Sequence, residues 1–356
     1  MSVPVRGPVL VIGSGLLGAS IGLALRRAGV PVWLDDVDAD VLAEAIGRGA
    51  GDPWQPGLGE PALVVVAVPP SSAGAVMARA TGFPGATVTD VTSVKAVPLA
   101  EAIASGADRE RLVGGHPMAG REMSGPAAAR VDLFDDRPWV VTPLAGTAPE
   151  RIQDVVDLAT TCGGLALVMD PTEHDEAVAL TSHAPQVISS LLAARLVDAD
   201  ARAVAVSGQG LRDMTRIAAS EPALWQEILS ANADSVVGVL DAFAKDLSTF
   251  VTDLRGGDRR DVGDALRRGA QGRERIPGKH GDAATAYDVV SAVVKDEPGE
   301  LARLFVAAGE LGVNLEDVRI DHVLGKPSGL IELSVRPESS ARLRDGLTAL
   351  GFDVRA

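Results

Sequence analysis

The sequence is poor in cysteine and in aromatic residues. Cys162 is the one cysteine among 356 residues, and aromatic residues make up 3% of the chain. One cysteine cannot form a disulfide within the chain, so a disulfide-stabilised secreted domain is excluded. The sequence also lacks any run of about 18 or more apolar residues, and its first residues lack the apolar segment of a signal peptide. These absences predict a cytoplasmic protein without a membrane span.

Positive charge is scarce as well. The formal net charge is −15 at pH 7, from 48 acidic and 33 basic side chains. Nucleic acids are bound through basic faces, so we expect no nucleic-acid partner. The five histidines are widely spaced and the lone cysteine has no neighbouring ligand, so we predict no metal site. An anionic substrate would need a local basic pocket, which makes individual arginines important.

The length and the hydrophobic pattern together predict three domains. A single core stops growing at roughly 250–300 residues, and this chain is longer. Buried strands alternate with helices up to about residue 170, which predicts a Rossmann-type doubly wound α/β sheet. An all-α segment follows, and the chain ends in a βαββαβ unit typical of a ferredoxin-like sandwich. The predicted domains are 1–170, 171–284 and 285–356.

Individual elements can be placed within these domains. Predicted strands of the first domain are 8–13, 30–35, 62–68, 86–91, 111–115 and 138–142, and two of its helices are 16–28 and 38–48. Predicted helices of the second domain are about 172–198, 200–219, 222–246 and 248–254. No element is predicted in the Gly- and Arg-rich residues 255–285. Elements of the third domain are strands 287–295, 315–323, 328–336 and 352–355 and helices 300–311 and 338–350.

A glycine-rich turn joins the first predicted strand to the first helix. Gly13-Ser14-Gly15-Leu16-Leu17-Gly18 matches the pattern G-x-G-x-x-G. The first glycine permits the tight turn, the second lets the backbone approach a pyrophosphate, and the third lets the helix pack against the strand. The helix N-terminus supplies amide donors to the phosphates. The turn predicts a dinucleotide site, to which we assign Leu16, Leu17 and, after a later strand, Val68 and Pro69.

Acidic residues end the second predicted strand, in Leu34-Asp35-Asp36-Val37-Asp38. A carboxylate at this place accepts the ribose hydroxyls of a dinucleotide and repels a 2′-phosphate. No basic residue follows until Arg48. The pattern therefore predicts NAD rather than NADP. Asp36 is the preferred ribose ligand because of its distance from the turn, and Asp35 remains an alternative.

The most specific string is Val113-Gly114-Gly115-His116-Pro117-Met118-Ala119-Gly120. Three further strings accompany it: Asp90-Val91-Thr92-Ser93-Val94-Lys95, Thr181-Ser182-His183 and Leu211-Arg212-Asp213-Met214-Thr215-Arg216-Ile217-Ala218. In this order the chain resembles the prephenate/arogenate dehydrogenase family of tyrosine biosynthesis over essentially its whole length. The resemblance implies an oxidative decarboxylation, in which a ring carbon gives a hydride to the nicotinamide and the ring carboxylate leaves as carbon dioxide.

The resemblance also implies roles for individual residues. His116 is the general base that takes the proton of the ring hydroxyl, a task that suits histidine near neutral pH. Ser93 is a hydrogen-bond partner of His116 and of that hydroxyl, and a cap on the helix that follows is the alternative role, compatible with the first. Arg216 grips a substrate carboxylate. Arg212 lies one helical turn earlier on the same face.

Further candidate substrate ligands follow from the same resemblance. His183 is expected in the substrate pocket, on one side of a helix with Glu176 and Gln186. Gln186 stands where many members have a second histidine, so the preference for prephenate or arogenate stays open. Glu122 matches a gating or substrate-contact acid of some relatives. His174 and Asp175 also fit family strings, but helix capping explains them equally well.

The C-terminal unit, with Asp296-Glu297-Pro298-Gly299-Glu300-Leu301, resembles an ACT domain. Such domains bind amino acids at dimer interfaces, so the resemblance implies Pro298, Gly299 and Asn314 as effector ligands. It also implies feedback by tyrosine in a homodimer whose core is the helical domain. A purely dimerising role for the unit is the alternative.

Three other functions compete with NAD-dependent prephenate dehydrogenation. Arogenate dehydrogenase has the same chemistry with a different substrate. A β-hydroxyacid dehydrogenase uses a lysine on a helix of its second domain, and this chain has no lysine between residues 171 and 244. A sensor without catalysis would not need Ser93, His116 and Arg216 together.

Overall fold

A computed structural model describes residues 5–120, 123–257, 259–276, 287–322 and 328–355. The chain divides into two compact units, Met1–Lys245 and Asp246–Ala356. The first unit contains both the large sheet and much of the helical segment that follows it. The finer division into three domains remains a prediction.

An eight-stranded sheet forms the centre of the first unit. Its strands are β1 (Val9–Ile12), β2 (Val32–Asp35), β3 (Asp52–Pro53), β4 (Leu63–Val66), β5 (Thr87–Asp90), β6 (Leu112–Pro117), β7 (Pro138–Pro143) and β8 (Leu165–Val168). Their order is β3-β2-β1-β4-β5-β6-β7-β8, and every neighbouring pair is parallel except β6 and β7. The first six strands have the doubly wound order, which confirms the predicted fold class.

Helices cover both faces of this sheet. They are α1 (Leu16–Arg27), α2 (Ala39–Gly47), α3 (Pro70–Ala80), α4 (Ala96–Ala104) and α5 (Pro149–Thr161), with 3₁₀ turns at Arg109–Arg111 and Pro126–Ala128. Alternate residues of β1 enter different cores: Val9 and Val11 pack on one face, and Leu10 packs on the other. The continuous apolar runs of the strands therefore reflect burial on both faces. The edge strand β8 was not predicted, and its four residues are exposed.

The helical segment after the sheet has more breaks than the sequence predicted. It contains α6 (Pro171–Val178), a π turn (Ala179–His183), α7 (Ala184–Ala194), α8 (Ala201–Ala205), α9 (Gln209–Thr215), a 3₁₀ turn (Arg216–Ala219), α10 (Pro222–Ala231), α11 (Ala233–Gly256) and α12 (Arg259–Glu274). The predicted break near residue 247 is absent, and Asn232 separates two helices instead.

Helix α12 lies where no element was predicted. Three glycines within it disfavour a helix by about 1 kcal/mol each relative to alanine. For that reason the sequence pattern did not predict a helix here. The residues between them are mainly good helix formers, and Asp264 pairs with Arg267 one turn away. No residue of α12 is buried.

The π turn corrects the predicted face of His183. Pro185 has no N–H, and its ring would clash with the carbonyl four residues earlier in a regular α-helix. The helix accommodates Pro185 by widening into the π turn Ala179–His183. The extra residue rotates the following face, so His183 and Gln186 are buried whereas Glu176 is exposed. The expectation that Glu176 shares their side was wrong.

Residues Pro171–Ala194 form the one described helical stretch that could cross a membrane by length and composition. A third of its most apolar window is buried within the protein. The stretch also carries the buried polar residues His174, Asp175, His183 and Gln186. A core helix of a soluble protein passes the same test of length and composition.

Besides α12 and the end of α11, the second unit contains a four-stranded antiparallel sheet with two helices packed on it. Its elements are β9 (Asp288–Lys295), α13 (Glu300–Glu310), β10 (Asp317–His322), β11 (Ser328–Val335), α14 (Pro337–Ala349) and β12 (Asp353–Arg355). The strand order is β10-β11-β9-β12. Alternate residues of β9 and β11, among them Ala292 and Ile331, are buried with Leu304 and Leu347 of the helices. The predicted βαββαβ unit is confirmed.

Candidate functional site

The glycine-rich turn lies at the carboxyl edge of the sheet and allows two close backbone contacts. Gly13 has φ +98°, a conformation that L side chains rarely adopt, and a Cβ there would lie 2.3 Å from the carbonyl oxygen of Ala67. A Cβ on Gly18 would lie 1.9 Å from the carbonyl oxygen of Gly13. A Cβ on Gly15 would meet nothing within 4 Å. Two glycines therefore close the turn, and the middle one faces open space.

The surroundings of the turn fit a dinucleotide. Helix α1 has no acidic residue in its first turn and no side-chain cap, which leaves its N-terminal amides for an anionic ligand. The Asp36 carboxylate accepts the backbone N–H of Ser14 at 2.6 Å. Asp35 contacts the turn through its backbone carbonyl, which accepts the N–H of Gly13 at 2.8 Å, so Asp36 is the one of the two whose side chain does so. The hydroxyl of Ser14 is buried without a hydrogen-bond partner among the described residues.

Other predicted cofactor ligands lie along the same edge. Val68 approaches the turn so closely that a Cβ on Gly13 would lie 3.1 Å from its side chain. Pro69 is exposed and caps the N-terminus of α3. Leu16 and Leu17 open α1 and are half-buried. Because β1, β4, β5 and β6 are parallel, their carboxyl ends meet at this edge.

A buried ion pair lies beyond the end of β5. The Lys95 ammonium contacts the Asp90 carboxylate, and both side chains are fully buried. Lys95 Nζ also donates to the carbonyl of Gly115 at 2.6 Å, and Asp90 Oδ1 accepts the N–H of Gly115 at 3.2 Å. Thr92 donates its N–H to the same carboxylate at 3.0 Å. The pair thus fixes both backbone groups of the residue before His116.

His116 lies near the end of β6 and contacts a second histidine. Its Nδ1 lies 2.8 Å from Nε2 of His174, in α6, and Nδ1 of His174 lies 2.8 Å from Oδ1 of Asp175. The Asp175 carboxylate also accepts the backbone N–H groups of Lys95 and Ala96, each at 2.8 Å. All three side chains of this series are buried. Neither member of the pair His174–Asp175 was singled out as a site residue from the sequence.

Ser93 makes neither the hydrogen bond to His116 nor the helix cap suggested by the sequence, and its contact to a substrate hydroxyl stays a prediction. Among the described residues it makes no hydrogen bond to His116, whose Nδ1 faces His174 instead. Ser93 does not cap the following helix either, because α4 begins at Ala96 with Lys95 as its N-cap. The carboxylate of Asp175, in α6, accepts hydrogen bonds from the first amides of that helix instead. Ser93 is half-buried and lies in the segment after β5.

His116 and His183 are neutral at ordinary pH. Burial, together with the positive charge of the nearby Lys95, holds the pKa of His116 well below its ordinary value of 6.5. Burial also lowers the pKa of His183 to about 4, against the opposing charge of Asp175. The neutral imidazole of His116 has a free lone pair and can accept a proton, and its lowered pKa makes it a weaker base than a free histidine.

His183 and Gln186 connect the π-turn helix to its neighbours. Asn232, at the end of α10, places its side-chain amide 3.1 Å from Nδ1 of His183 and donates to the carbonyl of Asp175 at 2.8 Å. Gln186 donates to the carbonyl of Ile217 at 3.0 Å. Gln186 therefore holds the backbone next to Arg216. The role of Asn232 was missed because a lone asparagine between two helices has no distinctive sequence signal.

The two arginines differ in setting. Arg212 is in the last turn of α9, and Arg216 opens the 3₁₀ turn that follows, so the regular helical spacing between them is interrupted. Both are exposed. Glu122 lies outside the described residues. In the described part of the chain, no group of three or more His, Cys, Asp or Glu could hold a metal ion.

The predicted effector residues lie in the second unit. Gly299 has φ +94° and is the N-cap of α13, which explains the need for glycine there. Pro298 precedes it and is exposed. Asn314 donates to Glu316 Oε1 at 3.0 Å.

Comparison with known families gives two matches that follow each other along the chain. Residues 21–168 match the nucleotide-binding domain of prephenate dehydrogenase, and residues 170–268 match the prephenate dehydrogenase dimerization domain. A probable prephenate dehydrogenase of Streptomyces niveus, NovF, is 37% identical over 352 residues, which cover 94% of this chain and 95% of that protein.

Two solved structures are similar to this one over much of the chain. Prephenate dehydrogenase from A. aeolicus, in complex with hydroxyphenyl propionate and NAD+, has a TM-score of 0.69 and 26% identity, covering 78% of this chain and 99% of that one. Synechocystis arogenate dehydrogenase has a TM-score of 0.66 and 25% identity, covering 75% of this chain and 99% of that one.

Proposed function

Since the chain belongs to the prephenate dehydrogenase family, we propose that it converts prephenate to 4-hydroxyphenylpyruvate by NAD-dependent oxidative decarboxylation. The observation that carries this proposal is the neutral, buried His116 at the sheet edge that also bears the glycine-rich turn. A base at that edge is within the part of a doubly wound fold where a nicotinamide and its substrate meet.

NAD is the proposed cofactor, and the similar A. aeolicus prephenate dehydrogenase was solved in complex with NAD+. When bound, NAD accepts the hydride. Gly13, Gly15 and Gly18 would accommodate its pyrophosphate, and Asp36 would accept its ribose hydroxyls. The carboxylate of Asp36 would also repel the 2′-phosphate of NADP. Leu16, Leu17, Val68 and Pro69 would complete the contacts.

His116 would hold the proton of the ring hydroxyl during the reaction. As the carbinol carbon loses its hydride, the hydroxyl proton passes to Nε2 of His116 and a carbonyl forms. The bond to the ring carboxylate then breaks, its electron pair makes the ring aromatic, and carbon dioxide leaves. The proton returns to the oxygen, which becomes the phenol. Proton and charge therefore balance with one NADH and one carbon dioxide formed per substrate.

The substrate is a dianion and needs cationic ligands in this acidic protein. We assign Arg216 to a substrate carboxylate, since a guanidinium binds carboxylates through two parallel hydrogen bonds. Arg212, His183, Gln186 and Ser93 are the further proposed contacts. Glu122 is retained as a proposed substrate contact from the sequence.

Arogenate is the alternative substrate, because the side chain of Gln186 does not select between prephenate and arogenate. Its amide is neutral and donates to the carbonyl of Ile217. It therefore offers no charge to the amino group that arogenate carries in place of the keto group of prephenate. Arogenate dehydrogenase of Synechocystis is also among the similar structures.

Regulation by tyrosine through Pro298, Gly299 and Asn314 is proposed on the βαββαβ topology of an ACT-like unit. Homodimer formation is proposed on the match of residues 170–268 to a dimerization domain. The cytoplasmic location stays a prediction.

A spectrophotometric assay tests the function. Purified protein with NAD is given prephenate or arogenate, and NADH formation is followed at saturating cofactor, with and without tyrosine. We expect turnover with prephenate, little with NADP, and inhibition by tyrosine. Turnover with arogenate alone would exclude prephenate as substrate, and no NADH with either would exclude the proposed function.

A further inference from the structure

Three buried side chains form a linear series that ends at the proposed base. Asp175 and His174 are adjacent in α6, and His116 is in β6. The contacts are 2.8 Å from Asp175 Oδ1 to His174 Nδ1 and 2.8 Å from His174 Nε2 to His116 Nδ1. The two imidazole rings are nearly perpendicular, at 73° with centroids 5.0 Å apart. Both ring nitrogens of His174 are therefore hydrogen-bonded.

The direction of the first hydrogen bond follows from the other ligands of the carboxylate. Asp175 accepts the N–H of Lys95 and that of Ala96, and an amide N–H can only donate. The carboxylate is thus an acceptor on both oxygens, and Nδ1 of His174 must donate to it. In a neutral His174, Nε2 then carries the lone pair.

The direction of the second hydrogen bond follows from the first. Nε2 of His174 accepts, so Nδ1 of His116 must carry its proton. This leaves Nε2 of His116 as the nitrogen with the free lone pair, and among the described residues nothing hydrogen-bonds to it.

We propose that His174 and Asp175 are positioning residues, which hold His116 in the tautomer that presents Nε2 as the base. When Nε2 takes the substrate proton, the Nδ1–H of the resulting imidazolium still donates to His174. The new positive charge is then compensated through His174 by the carboxylate of Asp175. This inference rests on the proposed function, because it assigns the base nitrogen of the same site.

Among the described residues, the charged and titratable groups that act on His116 come from the segment around the end of β5 and from the helical stretch Pro171–Ala194. His174, Asp175 and His183 belong to the helical stretch Pro171–Ala194. Asp90 is the last residue of β5, and Lys95 lies in the segment that follows that strand. Lys95 is paired with Asp90, and Nδ1 of His183 faces the side-chain amide of Asn232. His174 is therefore the hydrogen-bond partner that decides the proton position on His116.

Nitrogen-15 NMR of the full-length protein labelled at histidine reads the tautomer directly. His116 is assigned by the resonances missing from His116→Asn. We expect, near pH 7.5, a protonated Nδ1 and an unprotonated Nε2 on His116, and the same on His174. A proton on Nε2 of His116, or on both nitrogens of His174, would overturn the proposal. This measurement needs no substrate, so its result is independent of whether prephenate is turned over.

Two substitutions of His174 separate hydrogen bonding from packing. H174F preserves the ring and removes both hydrogen bonds, whereas H174Q loses the ring and retains an acceptor and a donor. We expect kcat to fall by about 100-fold in H174F, the lower end of what a general base contributes. H174Q should retain several-fold more activity than H174F, with KM for NAD unchanged in both. Equal or higher activity in H174F would assign His174 a packing role and overturn the proposal.

Val178→Ala is the matched control. Val178 lies one turn further along α6 and is buried, but it has no part in the series. Its truncation should lower the thermal midpoint and leave kcat and the His116 tautomer unchanged. If H174F does not fold, the NMR result for the wild-type protein decides the proposal alone.

Discussion

Lys95 Nζ donates to the carbonyl of Gly115 at 2.6 Å, directly before His116. The same ammonium pairs with Asp90, and no part of either side chain is exposed. Lys95→Met should remove the contact to Gly115 and leave a buried carboxylate unpaired, which costs roughly 3–5 kcal/mol. We expect a lower midpoint of unfolding in urea and a reduced kcat. Lys295→Met, at an exposed lysine, is the control and should change neither. Wild-type stability in Lys95→Met would show that the pair does not support this edge.

Substitution of His116 tests the base directly. His116→Asn retains a polar side chain of similar size but cannot take a proton near neutral pH. We expect turnover to fall by about 100-fold or more, the usual contribution of a general base, with nearly unchanged affinity for NAD. Steady-state assays and a fluorescence titration with NADH separate the two effects. Unchanged turnover would rule out His116 as the base.

The sequence predicted the sheet, its order of elements and the βαββαβ unit because these depend on local hydrophobic periodicity. It could not predict the π turn. That turn accommodates Pro185 within a packed helix, and the local sequence pattern contains no signal for it. The link from His116 to Asp175 was missed for a similar reason. His174 and Asp175 are separated from His116 by 58 and 59 residues. They come together only in the folded protein, where α6 lies beside the end of β6.

Asp36 should set the choice of dinucleotide. Its carboxylate contacts the glycine-rich turn at Ser14, where the adenosine ribose of NAD is proposed to lie. Asp36→Ala should weaken NAD binding by about tenfold, a loss of about 1.4 kcal/mol of binding free energy. It should also reduce the preference for NAD over NADP. The values of kcat/KM for both cofactors measure this. Asp35→Asn is the control, because Asp35 ends β2 and contacts the turn through its backbone carbonyl, which the substitution retains. A larger effect in Asp35→Asn would transfer the role to that residue.

Arg216 should act on substrate affinity. Its guanidinium is the proposed ligand of a substrate carboxylate, and Gln186 holds the adjacent backbone by its bond to Ile217. Arg216→Ala should raise KM for prephenate by tenfold or more, about 1.4 kcal/mol, and leave KM for NAD within a factor of about two. Arg195→Ala, in the capping position of α7, is the control and should alter neither. An effect of Arg216→Ala on NAD alone would contradict the substrate role.

The buried His183 should make the protein less stable in acid. Burial lowers the pKa of His183 from 6.5 to about 4, so between these values the unfolded chain binds a proton that the folded protein does not. The free energy of unfolding therefore falls as the pH drops below 6.5, and the contribution of this residue levels off below about pH 4. Above pH 6.5 the imidazole is neutral in both states and this loss is absent.

His183→Gln should make that decline shallower, since a glutamine amide does not titrate and can still accept from Asn232. Urea unfolding between pH 7.5 and 4.5 measures the dependence. Val178→Ala is the comparison, because a simple packing defect should lower stability by a similar amount at every pH. Parallel curves for His183→Gln and the wild-type protein would mean that His183 titrates alike in the folded and unfolded states, so its burial would not be the source of acid sensitivity.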